Sequence, residues 1–167
     1  MAAALLAVRL ADRAPDVATV SAGLLPGGAP APAEVVEVMA ARGIDLSGHR
    51  STALTGAAVR AADLVVGMGR RHVQEAVLLD PDGLPRTFRM RELVRRGRAL
   101  GPRPPGRPTA DWIDEVGRGR TRDDLVRHGP DEDVADPFGG PPEGYRTTAG
   151  ELDLLAGTLA DLLWPRR

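Results

Sequence analysis

Short β-branched runs alternate with segments of helical periodicity along the chain, and this alternation restricts the folds open to it. Residues 17–20 and 64–66 are aliphatic, β-branched runs, and residues 86–90 are a third strand candidate. Apolar residues at helical spacing lie between and around these runs. Strands that alternate with helices form parallel sheets covered by helices. We therefore expect a single α/β domain with a parallel sheet over residues 1–167.

The helices are predicted from apolar spacing and from the residues that end them. Thr55 is a candidate N-cap, and Gly43 suits a helix C-terminus. Thr148 and Glu151 resemble a capping box in front of the terminal helix. The predicted helices cover residues 2–13, 33–42, 56–62, 70–79 and 91–100, a stretch at 109–128 broken by Gly117 and Gly119, and the terminal run through Leu162.

Composition excludes several classes of function. The chain has 167 residues and a net charge of −1, and all 22 basic residues are arginine. A charge near zero gives no reason to expect nucleic acid or an anionic membrane as a partner. No apolar run approaches the ~20 residues that cross a bilayer. We therefore expect a cytoplasmic protein with neither a nucleic-acid nor a membrane partner.

Cysteine is absent from the chain. Disulfides, thiolate metal sites and cysteine nucleophiles are therefore excluded for the sequence as given. The three histidines are too widely dispersed along the sequence to indicate a metal site. We expect neither a metal nor a cofactor.

Four segments carry a family resemblance through their order and spacing. They are Ser21-Ala-Gly, Gly-Ile-Asp-Leu-Ser-Gly-His-Arg at 43–50, Asp-Leu-Val-Val-Gly-Met at 63–68, and Asp-Pro-Phe-Gly-Gly at 136–140. Together they resemble the low-molecular-weight protein-tyrosine-phosphatases and their arsenate-reductase relatives. The resemblance implies a three-layer sandwich with a parallel sheet in the order 2-1-3-4. It also implies hydrolysis of phosphotyrosine through a phosphocysteine intermediate, without a cofactor.

The same resemblance implies roles for four residues. Asp136 stands where the family's general acid protonates the leaving phenolate, and Phe138 stands beside the substrate ring. His49 and Arg50 lie in a loop that forms one wall of the family's cleft. From the residues alone, a turn-forming role is the favoured interpretation of Asp136, and surface packing is the favoured interpretation of His49 and Arg50.

The resemblance also shows which family parts are missing. The family's phosphate loop, Cys-x5-Arg-Ser, directly precedes a helix, and Met1-Ala2 stands where that helix begins. The first, central strand and the loop with its nucleophile are absent from this sequence. We expect a mis-set start or a truncation, and no activity for the chain as given. A true non-catalytic descendant and an unrelated α/β protein are the alternatives.

Several features of the chain leave its function open. Residues 95–133 form an Arg- and Pro-rich insert that is longer than the family pattern. Gly69 follows Met68 where the family usually has an acidic residue, and Ser51-Thr52 replace a common arginine. The expected substrate is a phosphotyrosine protein or a small phosphoester. Arsenate reduction on the same fold, or a non-catalytic binding or regulatory remnant, is the alternative. The oligomeric state is not predicted.

Overall fold

The computed structural model describes residues 1–126 and 132–166. Within these residues, two strands alternate with seven α-helices, and two 3-10 segments, Pro81–Arg86 and Arg122–Leu125, link helices and strands. The strands are β1 (Val65–Gly67) and β2 (Thr87–Arg89). The helices are α1 (Ala2–Leu10), α2 (Ala33–Ala40), α3 (Gly56–Ala61), α4 (Arg70–Leu79), α5 (Met90–Leu100), α6 (Thr109–Gly117) and α7 (Pro142–Leu163).

The two strands run parallel, and side chains on their two faces meet different helices. Val66 pairs with Phe88 in the register, and both belong to the main apolar cluster. Successive side chains alternate across a strand, so Gly67 faces the other way. There a Cβ on Gly67 would lie 2.9 Å from Val73 Cγ2 of α4. Helices therefore cover both faces of the sheet, as the sequence predicted for this α/β fold.

Helix α4 covers the face of the sheet towards which Gly67 points, and the helices on the other face are arranged around α7. Helix α7 packs against α1, α5 and α2, while α5 also contacts both strands. The core between these elements is aliphatic, with Trp112 and Phe88 as its largest fully buried side chains. The parallel sheet and its helical covers confirm the predicted α/β class.

The predicted strand at residues 17–20 is wrong. These residues form no strand, and Val20 is 83% exposed. A strand is stable only when its backbone groups pair with a neighbour. No described residue makes a backbone hydrogen bond to Ala18, Thr19 or Val20. The β-branched composition favours an extended backbone, but without a partner strand it does not produce a sheet element.

The start of the terminal helix is also corrected. Helix α7 begins at Pro142, so Thr148 and Glu151 lie inside it and form no capping box. Proline is suited to the first turn of a helix because it needs no backbone donor there. The Thr148 hydroxyl instead donates to the Ala135 carbonyl oxygen at 3.2 Å.

Other helix boundaries follow the sequence closely. The Thr55 hydroxyl accepts a hydrogen bond from the Ala58 backbone N–H at 3.2 Å, which confirms the predicted N-cap. The helical stretch from residue 109 ends at Gly117, as its glycines indicated. The end of that prediction, residues 127 and 128, lies outside the described residues. None of the described helices is long and apolar enough to cross a membrane.

Candidate functional site

A groove of about 430 Å³ lies beside Asp136, and we call it the Asp136 groove. It is bordered by the N-terminal end of α1, the first turn of α4 and one side of α7. Its lining consists of Met1, Ala2, Met68, Gly69, Arg70, Arg71, His72, Asp133, Val134, Ala135, Asp136, Pro137, Thr148 and Leu152. The groove combines both signs of charge with an apolar floor, as ligand sites often do.

Backbone contacts fix the loop that carries Asp136, residues 132–140, which we call the acid loop. The Val134 N–H donates to the Met68 carbonyl oxygen at 2.7 Å, directly after β1. On the other side, Thr148 of α7 binds the Ala135 carbonyl oxygen. These two hydrogen bonds hold Val134 and Ala135, the two residues just before Asp136. The loop is therefore tied both to the sheet and to the terminal helix.

An ion-pair network holds the start of the acid loop. Arg89, at the end of β2, pairs with Glu132 and also reaches Asp133 at 3.4 Å. The side chain of Arg89 is only 9% exposed, so these charges interact where little water screens them. Arg95 of α5 completes the network by pairing with the other oxygen of Glu132 at 2.7 Å. This network connects the Arg-rich part of α5 to the candidate site.

Asp136 itself is exposed and makes one local hydrogen bond. Its Oδ1 accepts from the Phe138 backbone N–H at 3.0 Å, which closes an Asx turn. The turn reading of this aspartate is thus correct, and it leaves Oδ2 unengaged by the described residues. The Gly139 N–H donates to the Tyr145 hydroxyl at 3.2 Å, beyond the turn. A carboxyl held this way at a groove can exchange a proton with a bound ligand.

The first helix brings its N-terminus into the same groove. Met1 lines the groove, and its carbonyl oxygen accepts from the Leu5 N–H at 3.0 Å. Burial lowers the pKa of the Met1 ammonium below its ordinary value of 8.0, because the charged form loses solvation. The N-terminal end of a helix favours anions, so this end of the groove is electropositive.

A second groove, of about 420 Å³, lies on another side of α1. It is lined by α1 residues, by Thr19 and Ser21, and by His49. Met1 borders both grooves, so His49 and Asp136 approach α1 from separate grooves rather than sharing one. The Arg50 side chain donates to the carbonyl oxygens of His49 and Ser47 at 2.8 and 3.4 Å. The Phe138 side chain is 75% exposed and borders neither groove.

The structure also brings residues into the Asp136 groove that sequence reasoning did not select. His72 is exposed, and its Nδ1 accepts a hydrogen bond from the Gly69 backbone N–H at 3.1 Å. The Arg70 N–H donates to Asp133 Oδ1 at 3.0 Å. Arg70 contributes a side chain as well, and its Nε is buried without an acceptor among the described residues. The sequence feature that could have indicated these groove residues is the pair of arginines, Arg70 and Arg71, directly after Met68-Gly69.

Metal ligation was not expected from the sequence. Within residues 1–126 and 132–166, no three histidine or acidic side chains come together as a metal site. The chemistry that this arrangement supports is proton transfer by a carboxyl group in a groove with one electropositive end.

Comparison with known proteins assigns the chain to a family. Residues 1–99 match the family of low molecular weight phosphotyrosine protein phosphatases. A curated protein from Ralstonia solanacearum, the probable low molecular weight protein-tyrosine-phosphatase EpsP, is 42% identical over 80 residues. That match covers 47% of this chain and 55% of EpsP, so the chain spans about half the length of the curated relatives it matches.

Solved structures agree over nearly the whole chain. A low molecular weight protein tyrosine phosphatase from T. tengcongensis is 29% identical, with a TM-score of 0.71. The similarity covers 97% of this chain and 88% of that one. The YwlE arginine phosphatase from Geobacillus stearothermophilus is 28% identical, with a TM-score of 0.67 over 96% of this chain and 80% of the other. The chain belongs to the low molecular weight protein-tyrosine-phosphatase family.

Proposed function

We propose that the Asp136 groove is the acid side of a site that hydrolyses phosphate monoesters. Asp136 acts as the general acid, and the nucleophile and phosphate-binding arginine come from a segment that precedes Met1 in the functional protein. The observation that carries the proposal is the anchored acid loop, which holds Asp136 at the groove where the first helix begins.

The reaction follows from the proton that Asp136 holds. A cysteine thiolate attacks phosphorus, the bond from phosphorus to the leaving oxygen breaks, and Asp136 gives its proton to that oxygen. The resulting carboxylate then accepts a proton from water, the water oxygen attacks phosphorus, and the thiolate leaves. The chain as given contains no cysteine, so no phosphocysteine can form on it.

The other three predicted site residues have weaker support. His49 borders the second groove, which also reaches Met1, so a contact with a substrate that extends past α1 fits its position. Arg50 is exposed, and its side chain already binds two carbonyl oxygens nearby. The exposed ring of Phe138 borders neither groove, and its proposed contact with the substrate is supported only by its place two residues after Asp136 in the same turn. All three stay proposals, as does the cytoplasmic location expected from the sequence.

The test restores the missing parts and then removes the acid. A chimera would carry the first strand and phosphate loop of the T. tengcongensis enzyme in front of Met1. We expect it to hydrolyse phenyl phosphate, whereas the 167-residue chain does not. Asp136→Asn in the chimera should lower kcat about 10²- to 10⁴-fold with little change in KM. Asp114→Asn, on an exposed position of α6, is the matched control.

The leaving group makes this test specific to a general acid. Phenol has a pKa near that of tyrosine, about 10, and needs protonation as it leaves. Nitrophenolate is a better leaving group and needs less help. The loss on Asp136→Asn should therefore be larger for phenyl phosphate than for p-nitrophenyl phosphate. Equal losses for the two substrates would remove Asp136 from the acid role. A folded chimera that binds phosphate without turnover would instead favour the non-catalytic reading.

A second substrate class has support from the comparisons. The arginine phosphatase from G. stearothermophilus and the tyrosine phosphatase from T. tengcongensis are similar to this chain to nearly the same degree, at 28% and 29% identity. When the bond between phosphorus and nitrogen of phosphoarginine breaks, the leaving arginine also takes up a proton, in this case on nitrogen. Comparing kcat/KM for phosphoarginine and phosphotyrosine in the chimera separates the two. Arsenate reduction is not favoured, because the relatives found are named as phosphatases.

A further inference from the structure

We propose that Arg70 is an oxyanion-binding residue of the Asp136 groove and contacts the substrate of the reaction proposed above. The oxyanion is either the phosphoryl group that is cleaved or a second acidic group on the same substrate. Arg70 has no assigned role in the catalytic scheme derived above, so this inference deepens the proposed function and rests on it.

The first observation is the unsatisfied Nε atom of the Arg70 guanidinium. Its Nε is buried and has no hydrogen-bond acceptor among residues 1–126 and 132–166. Buried N–H groups are almost always paired in folded proteins. Because Arg70 lines the Asp136 groove, a ligand in that groove can supply the missing acceptor. Guanidinium groups match carboxylate and phosphate oxygens particularly well, because their N–H donors form a planar fork.

The second observation is what the acidic neighbours of Arg70 are already doing. Asp133 accepts the Arg70 backbone N–H and also pairs with Arg89, so its charge serves the acid loop. Asp136 is occupied on Oδ1 by the turn to Phe138. Neither carboxylate forms an ion pair with the Arg70 side chain. Among residues 1–126 and 132–166, the Arg70 guanidinium therefore has no carboxylate partner, and it adds a positive charge to the groove wall.

The third observation is the rest of the groove's charge. Met1 places the electropositive N-terminal end of α1 on a border of the same groove as Arg70 of α4. An anion in the groove would thus meet positive groups from two separate helices. Asp136, the group that must carry a proton during turnover, lines the same space. This places the anion next to the proton donor.

The test is a titration of the 167-residue chain followed through the Arg70 Nε–H resonance by NMR. The probes are phenyl phosphate and benzoate, at constant ionic strength. We expect a saturable shift of that resonance. Arg70→Gln should weaken binding at least tenfold, measured from backbone amides of the groove. Arg71→Gln removes the same charge from the neighbouring, exposed position and should weaken binding less than threefold.

The probes identify the source of the oxyanion. Tighter binding of phenyl phosphate assigns Arg70 to the phosphoryl group, while equal or tighter binding of benzoate assigns it to a second acidic group. Shifts that do not saturate, or equal losses in the two arginine variants, would overturn the proposal. Asp136→Asn should leave this binding intact or tighten it. If the titration shows no saturable binding while the activity of the chimera depends on Asp136, the role of Arg70 is refuted and the proposed function stands.

Discussion

The backbone N–H of Val134 donates to the carbonyl oxygen of Met68 at 2.7 Å. Met68 directly follows β1, and Val134 lies two residues before Asp136. This bond makes the end of a core strand the reference point for the candidate general acid. The position of Asp136 is therefore set by the sheet, although the residue itself is exposed on a loop.

The buried ion pair at the acid loop gives the first prediction. Arg89→Met leaves Asp133 and Glu132 without their buried partner, so we expect a loss of about 3 kcal/mol in the free energy of unfolding. Arg95→Met removes a 63% exposed partner of the same Glu132 and should cost less than about 1 kcal/mol. Urea unfolding of the two variants measures the difference. Equal losses of unfolding free energy in the two variants would show that the buried ion pair of Arg89 contributes no more to stability than the exposed ion pair of Arg95.

The bond between Thr148 and Ala135 gives the second prediction. Thr148 is 5% exposed, and Thr148→Val preserves its shape while leaving the Ala135 carbonyl oxygen without this donor. We expect a loss of about 1–2 kcal/mol in unfolding free energy. Thr147→Val, at the exposed neighbouring position of α7, should change stability by less than about 0.5 kcal/mol. Faster cleavage of the acid loop by protease in Thr148→Val alone would show that the bond anchors that loop.

Two helical glycines should respond to alanine with opposite signs. In α5, a Cβ on Gly97 would lie 2.9 Å from both Leu162 Cδ1 and a ring carbon of Trp112. We expect Gly97→Ala to cost about 1–3 kcal/mol by overpacking. In α7, a Cβ on Gly157 meets nothing closer than 3.9 Å. Gly157→Ala should stabilise by about 0.5–1 kcal/mol through helix propensity. Thermal unfolding of both variants decides this, and a stable Gly97→Ala would contradict the packing between α5 and α7.

The buried ammonium of Met1 predicts a pH dependence of stability. Burial lowers its pKa in the folded chain, so the unfolded chain holds more protons at pH values between that lowered pKa and 8.0. Stability from this group therefore rises with pH across the window and levels off above about pH 8. Nα-acetylation removes the titrating group. The difference between the free and acetylated chains in urea unfolding, measured from about pH 6 to pH 9, should show this rise. A flat difference would place the Met1 ammonium in water.

Local sequence signals predicted most of the fold. The Thr55 cap and the helix at residues 70–79 were correct because each depends on residues within one or two turns. The strand at residues 17–20 failed because a strand depends on a partner that composition cannot reveal. The predicted capping box at Thr148 was wrong for a related reason. The Thr148 hydroxyl donates to the carbonyl oxygen of Ala135, a loop residue outside the helix, instead of capping the start of a helix.

The candidate site could be predicted only in part. Asp136 was selected as a candidate through its motif, because the family resemblance is local in sequence, and its role as the acid stays a prediction. The pair of Arg89 and Glu132 was not found, because 43 positions separate its members and neither carries a motif. The buried Nε of Arg70 could not be predicted either, since sequence does not show which side chain lacks an acceptor. The sequence therefore indicates the candidate acid more directly than it indicates the residues that position it.

The intact mass of the native protein, taken from the cells that make it, tests the central claim most directly. A strand and a phosphate loop of ordinary length would add about 1–2 kDa to the 17.6 kDa of this chain. We predict a mass in that higher range, with a segment before Met1 that holds Cys-x5-Arg. A native mass of 17.6 kDa would contradict the proposed hydrolysis, because the cell would then make a chain without a nucleophile.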